Sequence, residues 1–224
     1  MTFSIAARCA TTNMFGVAIA SSSPAVAARC AHARAGLGAV ATQNITDPAL
    51  GQRILESLGK GEGAQDALDE ALRSTRFGAY RQLVVMAAHG PPVVHTGQQA
   101  LGLAASAMGT DCAAAGNLLA RADVPDAMVS AFDIARGHLG ARLLQALQAG
   151  AQQGGEAGPI HSAGLLVVHE LSWPIVDLRA DWSVADPLAD LEAAWKIYAP
   201  QIQDYVRRAL DPGAAPTFGV PGNF

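Results

Sequence analysis

Thr2 has the most distinctive potential chemistry in the chain, because removal of Met1 would make it the first residue. An amino-terminal threonine carries a hydroxyl nucleophile and an α-amino group with a reference pKa of about 7.7–8.0. That amine can accept the hydroxyl proton near neutral pH, so one residue could supply both nucleophile and base. The alternative interpretation is an ordinary strand residue. Ser4, on the same face of the predicted strand, is a rival nucleophile.

Amide side chains are the candidates for stabilising an oxyanion. Gln43 and Asn117 each end a run of small residues, and Gly116 would allow a close approach to the backbone. We predict that both amides donate to the oxyanion, where loss of one donor typically costs about 2.7–4 kcal/mol. A turn-capping or sheet-edge role is the alternative for both side chains.

A substrate pocket could also use charged and polar side chains. Arg8 and Arg179 could each bind a substrate carboxylate through two hydrogen bonds, or could pair with an acid such as Asp181. The other candidates for a polar pocket are Ser21, His32, His95 and His161. No two histidines have metal-ligand spacing with an acid, and no GxSxG segment occurs. We therefore expect no metal site, no serine-hydrolase elbow and no cofactor.

These candidates depend on the elements that position them, the first of which is a predicted hairpin. From Phe3 to Cys9 the larger apolar residues alternate with Ser4, Ala6 and Arg8, which is the period of a strand. Residues 10–13 have turn chemistry, and residues 15–20 alternate again as a returning strand. Thr2 would therefore begin the first strand of a hairpin.

Later strands are predicted as neighbours and later helices mostly as pairs. The predicted strands are 37–44, 81–88, 92–96, 162–169 and 175–179, with small strands or loops over 97–117. The predicted helices are 48–58, 64–74, 124–134, 139–149 and 187–210, the first and last capped by Asp47 and Asp186. This order predicts an α+β fold, a four-layer αββα sandwich of two antiparallel sheets. We predict one domain over 1–210 and an extended tail over 211–224.

Composition limits the partners and the compartment. Only 15% of residues are charged, against roughly 25% in an average domain, so we expect part of the surface to be covered in a homo-oligomer, a dimer or higher. The net charge is −4 without a basic run, so nucleic acid is not an expected partner. No membrane-length apolar run or secretory signal is visible, and the three cysteines lack CxxC spacing. We therefore predict a cytoplasmic protein that binds a small molecule, with no membrane partner.

Short motifs from residue 2 to about 190 resemble a bacterial family labelled domain of unknown function 1028. They are TFSIAAR at 2–8, GVAIAS at 16–21, GAVATQ at 38–43, RQL at 81–83, HTG at 95–97, AGNLL at 115–119, HSA at 161–163, and DLRAD at 177–181 before DP at 186–187. The family is similar to the N-terminal-nucleophile (Ntn) hydrolases. The resemblance implies an Ntn-hydrolase-like αββα fold and hydrolysis of a non-peptide C–N bond, with Thr2 as nucleophile. A small amide, ureido or cyclic imide compound is the expected substrate.

The sequence departs from the family pattern in two places, and two other functions stay open. Many members have Gly-Gly-Asp followed by Arg-Gly where this chain has GEAGP at 155–159, and a basic and an aromatic residue where it has SSP at 22–24. The lysine that holds the amine neutral in proteasome-like relatives is not evident at 22–24. The alternatives are a catalytically silent protein that binds a small metabolite on the same fold, and a structural oligomer.

Overall fold

The alternating residues at the start of the chain form a strand in the middle of the larger of two sheets. The computed structural model describes residues 2–216. Its strands are β1 Thr2–Cys9, β2 Met14–Ser21, β3 Ala31–Arg34, β4 Gly38–Asn44, β5 Arg81–Ala87, β6 Val93–Thr96, β7 Ala105–Met108, β8 Cys112–Asn117, β9 Ser162–Val168 and β10 Val176–Ala180. Its α-helices are α1 Val26–Cys30, α2 Pro48–Gly59, α3 Ala64–Arg73, α4 Val124–Ile134, α5 Leu139–Gln152, α6 Pro187–Tyr198 and α7 Ile202–Leu210.

All strand pairs within the two sheets are antiparallel. The larger sheet has the order β10-β9-β2-β1-β8-β7, and the smaller sheet has the order β3-β4-β5-β6. The predicted hairpin is present as β1 and β2, which pair along their whole length. Because β1 lies between β2 and β8, its side chains have neighbours on both sides.

The two faces of β1 contact different layers. Phe3 and Ile5 belong to the core formed with α4 and α5, whereas Ala6 lies in the core between the two sheets. On the far side of the smaller sheet, Val40 and Leu83 pack with the apolar faces of α2 and α3. Burying each large apolar side chain contributes roughly 1.5–3 kcal/mol. The order of layers is therefore helix, sheet, sheet, helix, and the predicted α+β sandwich is confirmed.

The helix predicted over 187–210 is interrupted in the structure. It divides into α6 and α7 at the 3₁₀ turn Ala199–Gln201, because Pro200 has no backbone N–H to continue the helical hydrogen bonding. Its predicted cap is present, since the Asp186 carboxylate accepts hydrogen bonds from the backbone N–H groups of Leu188 and Ala189. The prediction also assigned no element to α1 or β3, which are short and rich in alanine.

Both ends of the chain are only partly described. Met1 and residues 217–224 lie outside the described residues, so most of the predicted tail over 211–224 does as well. The division into a domain over 1–210 and a tail stays a prediction. Within residues 2–216, no helix has both the length and the apolar character needed to cross a bilayer.

Candidate functional site

Thr2 lies between two buried polar residues at the end of β1. It pairs with Ser21 of β2 on one side and with Asn117 of β8 on the other. Side chains directly opposite on antiparallel strands share a face, so all three side chains are directed into the space between the two sheets. Thr2 is 5% exposed and the other two are fully buried. The strand register thus assembles three residues that are far apart in sequence.

The Thr2 hydroxyl has a close hydroxyl neighbour. Its Oγ1 lies 3.1 Å from the Ser21 Oγ. The Ser21 Oγ also accepts a hydrogen bond of 3.0 Å from the backbone N–H of Ser23. One of its lone pairs is therefore occupied, and either hydroxyl can be the donor in the contact between Thr2 and Ser21.

Ser4, the rival nucleophile, takes part in a contact between the sheets. Its hydroxyl donates a 2.6 Å hydrogen bond to the side-chain oxygen of Gln43 on β4. An amide oxygen is a very weak base, so this partner does not activate the Ser4 hydroxyl. The structure thus gives Ser4 a bridging role.

Gln43 is joined to Gln82, a residue that the sequence analysis did not select. Gln43 Nε2 donates to Gln82 Oε1 at 2.8 Å and to the carbonyl of Ala115 at 3.1 Å. Gln82 Nε2 in turn donates to the carbonyl of Gly116 at 3.0 Å and to the hydroxyl of Thr96 at 3.1 Å. A backbone carbonyl can only accept, so these contacts fix the orientation of both amides.

The prediction that Gln43 donates to an oxyanion is therefore corrected. Both of its N–H groups already donate within the structure. Gln82 could have been suspected from the sequence, because it is a polar residue inside the apolar strand β5 and pairs directly with Gln43.

Asn117 keeps hydrogen-bonding capacity that Gln43 lacks. Its Nδ2 donates a 3.2 Å hydrogen bond to Gln82 Oε1, and an Asn amide has a second N–H. Its Oδ1 is buried and has no hydrogen-bond partner among the described residues. Unsatisfied buried polar atoms are rare and often mark functional sites. Asn117 therefore remains the candidate oxyanion donor.

Gly116 has a packing role that accounts for the absence of a side chain. A Cβ at this position would lie 2.5 Å from the side chain of Leu119. Leu119 fills this space. The glycine is therefore required by packing against Leu119 and not by the predicted close approach of a ligand.

His161 lies beside the Thr2 end of the sheet. Its backbone N–H donates to the carbonyl of Ser21 at 2.9 Å. Its ring stacks on Trp182 at 4.4 Å and its Nδ1 lies 3.0 Å from the carbonyl of Ser183. The ring is thus held in one orientation near the candidate site.

Arg8 belongs to the opposite end of β1, roughly 20 Å from Thr2 at about 3.3 Å per residue. It forms a 2.8 Å ion pair with Asp111 and donates to three backbone carbonyls. Arg179 lies on the edge strand β10, three strands from β1, and makes two 2.7 Å hydrogen bonds with Asp177. The structure does not bring either guanidinium to Thr2, so the predicted substrate-binding role of both is corrected.

His32 and His95 lie on the smaller sheet and serve packing there. The His32 ring fills the space beside Gly51, where a Cβ would come within 2.3 Å of it, and burial lowers the pKa of His32. Nε2 of His95 lies 3.0 Å from the carbonyl of Gly78. The predicted role of His32 in a substrate pocket is therefore corrected as well.

Glu156 is a buried acid in the segment 155–159, where the sequence departs from the family pattern. It forms an isolated β-bridge with Leu119, and the following backbone N–H, of Ala157, donates to the carbonyl of Leu118 at 2.7 Å. The residue is 3% exposed, and neither carboxylate oxygen has a hydrogen-bond partner among the described residues. Burial raises the pKa of Glu156 to about 7, while polar groups of Ser22 oppose the rise.

Thr2 is almost completely buried: it is 5% exposed, and its neighbours Ser21 and Asn117 are fully buried. Residues 2–216 also contain no group of three or more His, Cys, Asp or Glu side chains arranged to hold a metal ion. A substrate could reach the Thr2 hydroxyl only if the end of β1 were uncovered.

The model of a family of unknown function, DUF1028, matches residues 2–191. A crystal structure of a DUF1028 protein from Silicibacter pomeroyi superposes with a TM-score of 0.85 at 29% identity, covering 92% of this chain and 90% of that one. An Anbu (ancestral β-subunit) structure from Yersinia bercovieri gives a TM-score of 0.40 at 12% identity, covering 91% and 97%, which is too low to support an argument. No curated protein matches the sequence.

Proposed function

Because this chain belongs to the DUF1028 family of unknown function, we propose an activity from its own site: hydrolysis of a non-peptide carbon–nitrogen bond with Thr2 as an N-terminal nucleophile. The observation that carries the proposal is the position of Thr2 between Ser21 and Asn117 on the face of β1 between the sheets. Buried polar groups are costly unless they are satisfied, and a cluster beside a potential nucleophile is typical of an active site.

The proposed reaction needs no group beyond this chain, the substrate and water. The Thr2 hydroxyl attacks the substrate carbonyl carbon while the α-amino group accepts the hydroxyl proton. The amine then passes this proton to the leaving nitrogen, the C–N bond breaks and an ester to Thr2 remains. Water, deprotonated by the same amine, attacks the ester and releases the acid product, which restores the Thr2 hydroxyl.

Asn117 and Ser21 have separate roles in this reaction. The second Nδ2–H of Asn117 donates to the oxyanion, since its first donates to Gln82. Ser21 lies 3.1 Å from the nucleophilic oxygen and holds the Thr2 hydroxyl in one orientation. Gln82 orients Asn117, and Gln43 ties Gln82 to the strands of the other sheet.

The burial of Thr2 favours a small substrate. Buried side chains pack closely between the sheets around the site, which leaves little room for a large substrate. We propose a small amide, ureido or cyclic imide compound. Loss of Met1 would free the Thr2 amine.

We also propose that the protein acts in the cytoplasm as a homo-oligomer, a dimer or higher. Several large apolar side chains are exposed, including Ile134 at 77%, Val184 at 85% and Ile197 at 70%. Only 15% of the residues are charged. Light scattering coupled to size-exclusion chromatography tests this proposal, and a monomer at micromolar concentration would contradict it.

Thr2→Ala tests the proposed activity. The purified protein is assayed for amine or ammonia release from a panel of small amides, ureido compounds and cyclic imides. Thr2→Ala is expected to abolish turnover, and Thr2→Ser to retain part of it. Thr12→Ala, which alters an exposed threonine in the turn of the same hairpin, is the matched control and should leave turnover unchanged.

A silent metabolite-binding protein is the second candidate, and the burial of Thr2 favours it. In that case a small amide would bind with a measurable heat by calorimetry but would not be consumed. Binding that is unchanged in Thr2→Ala, together with no turnover in the parent protein, would replace the first proposal with the second.

A further inference from the structure

The strand register places Glu156 near the end of β1 at which Thr2 lies. Thr2 pairs with Ser21 and Asn117, and the residues that follow these two partners lead to Glu156. Leu119, two residues after Asn117, forms the β-bridge with Glu156. Ser22, next to Ser21, carries the polar groups that face the Glu156 carboxyl. Both strands that flank Thr2 therefore converge on the same carboxyl group.

The Glu156 carboxyl lacks the partner that its burial requires. It is 3% exposed, and neither oxygen accepts a hydrogen bond from the described residues. It takes part in none of the ion pairs found among residues 2–216. A buried carboxylate is costly without a paired donor, and only a pairing or protonation relieves the cost. A hydrogen-bond donor beside this carboxyl would relieve the cost.

We propose that Glu156 binds the α-amino group of Thr2 when that amine is the amino terminus, and aims it at the Thr2 hydroxyl. This inference rests on the proposed function, because it needs Thr2 as the first residue. An α-ammonium group offers three donors to the two unpartnered oxygens of Glu156. This ammonium group would lie at the end of β1, near the buried Glu156 carboxyl.

The Glu156 carboxylate favours the protonated amine, so the amine must lose a proton before it can act as a base. The ammonium gives one proton to the carboxylate, forming a neutral amine and a neutral carboxylic acid, and no other reactant takes part. The two groups are matched, because burial raises the pKa of Glu156 to about 7 and the amine has a reference value of about 7.7–8.0. Glu156 is therefore a positioning residue that acts through the Thr2 amine.

Few other charges act on this pair. The segment that follows Leu119 carries Arg121 and Asp123, which pair with each other at 2.9 Å. Gln153, after the end of α5, donates to the same Asp123 at 2.7 Å. On the remaining neighbours, Ser22 is neutral and the Nδ1 of His161 lies 3.0 Å from a backbone carbonyl. The Thr2 amine should thus respond mainly to Glu156.

The direct test is the titration of the Thr2 amine in protein labelled with ¹⁵N-threonine. An opposite charge within about 4–6 Å raises the pKa of an amine by one unit or more. Glu156→Gln should therefore lower the pKa of the Thr2 α-amine by about one unit, and Glu156→Asp, which keeps the charge, by less. Glu70→Gln neutralises a half-buried carboxylate on α3 and should have no effect. Circular dichroism establishes that each variant is folded.

Kinetics separate this inference from the proposed function. Glu156→Gln should lower kcat more than it raises KM, shift the acid limb of the kcat profile, and be partly rescued in Glu156→Asp. Turnover that depends on Thr2 but an unchanged amine titration in Glu156→Gln would overturn the inference alone. Absence of turnover with a shifted amine titration would overturn the proposed function alone. Retention of Met1 in active protein would overturn both.

A cationic group of the substrate is the rival occupant of the same carboxyl. If Glu156→Gln raised KM for a cationic amide only and left the amine titration unchanged, the carboxyl would serve substrate recognition. That result would also overturn the inference.

Discussion

The hydroxyl oxygens of Thr2 and Ser21 lie 3.1 Å apart across the first hairpin, in the space between the two sheets. The contact joins the first residue of β1 to the last residue of β2, so the strand register alone brings the two together. The Ser21 oxygen also accepts the backbone N–H of Ser23, which fixes its position. Thr2 is thereby held by a neighbour that is itself held by the backbone.

Removal of the Ser21 hydroxyl should disturb the reaction without abolishing it. Ser21→Ala leaves the Thr2 nucleophile and its amine intact but lets the Thr2 side chain rotate. We expect kcat to fall by about tenfold, because loss of one neutral hydrogen bond of about 1.4 kcal/mol raises the activation free energy by that amount. Steady-state kinetics measure this. A loss as large as that of Thr2→Ala would instead make Ser21 the nucleophile.

Asn117 should contribute to the transition state and little to substrate binding. Asn117→Ala removes the proposed oxyanion donor, so kcat should fall by about 10²–10³-fold with KM nearly unchanged. Asn117→Asp keeps the shape of the side chain but replaces the donor with an acceptor, and should be at least as impaired. A variant whose KM rises while kcat stays constant would place Asn117 in ground-state binding.

Gln82 should be important for stability as well as for the site. Gln82→Leu leaves the Gly116 carbonyl, the Gln43 amide and the Asn117 amide each without one partner. Each unsatisfied buried group costs about 1–3 kcal/mol of unfolding free energy, so urea denaturation should show a loss of several kcal/mol. Gln98→Leu, at an exposed position, is the matched control. A loss of unfolding free energy no larger than that of Gln98→Leu would show that the Gln82 hydrogen bonds do not stabilise the protein.

The stability of the protein should fall below neutral pH because of His32. Burial lowers the pKa of His32 in the folded state, while the unfolded chain keeps a value near 6.5. As the pH falls through about 6.5, His32 therefore binds a proton in the unfolded state but not in the folded state. The stability that His32 contributes is present above this pH and is lost below it.

Urea unfolding at pH 7.5 and pH 5.5 measures this effect. His32→Gln should lose less stability between the two pH values than the parent protein does, even if it is less stable at both. His89→Gln changes an exposed histidine and should keep the parent dependence. Equal pH dependence in the parent and in His32→Gln would contradict the assignment.

The fold was predictable because its signals are local. Alternation over residues 3–9, the caps Asp47 and Asp186, and the order of strands and helices are each contained in a short stretch of sequence. The break at Pro200 could have been predicted too, since proline cannot donate the helical hydrogen bond. The apolar pattern continues across the break, so the sequence predicted one continuous helix.

The site was predictable only in part, because its geometry depends on register between distant strands. Thr2, Ser21 and Asn117 were selected from the sequence, and the pairing of β1 with β2 and β8 brings them together. Gln43 was selected as a donor, but its three partners come from β1, β5 and β8 and could not be deduced from its neighbours in sequence. Arg8 and Arg179 were selected by charge alone, and the structure gives both of them nearby acids.

Glu156 is the clearest example of a site residue whose position depends on contacts with a distant part of the sequence. A glutamate within a Gly-rich segment usually indicates a solvated loop. Its burial depends on the contact with Leu118 and Leu119, more than thirty residues earlier in the chain. Nothing in the local sequence reports this contact, so the acid could be recognised only in three dimensions.

The most direct test of the central claim is to identify the residue that becomes acylated in an active preparation. The protein is incubated with an electrophilic amide or ester analogue, then digested, and its amino-terminal peptide is analysed by mass spectrometry. The account predicts a peptide that begins at Thr2 and carries the acyl group on the Thr2 hydroxyl. An adduct on another residue, or an amino-terminal peptide that begins at Met1 in fully active protein, would contradict it.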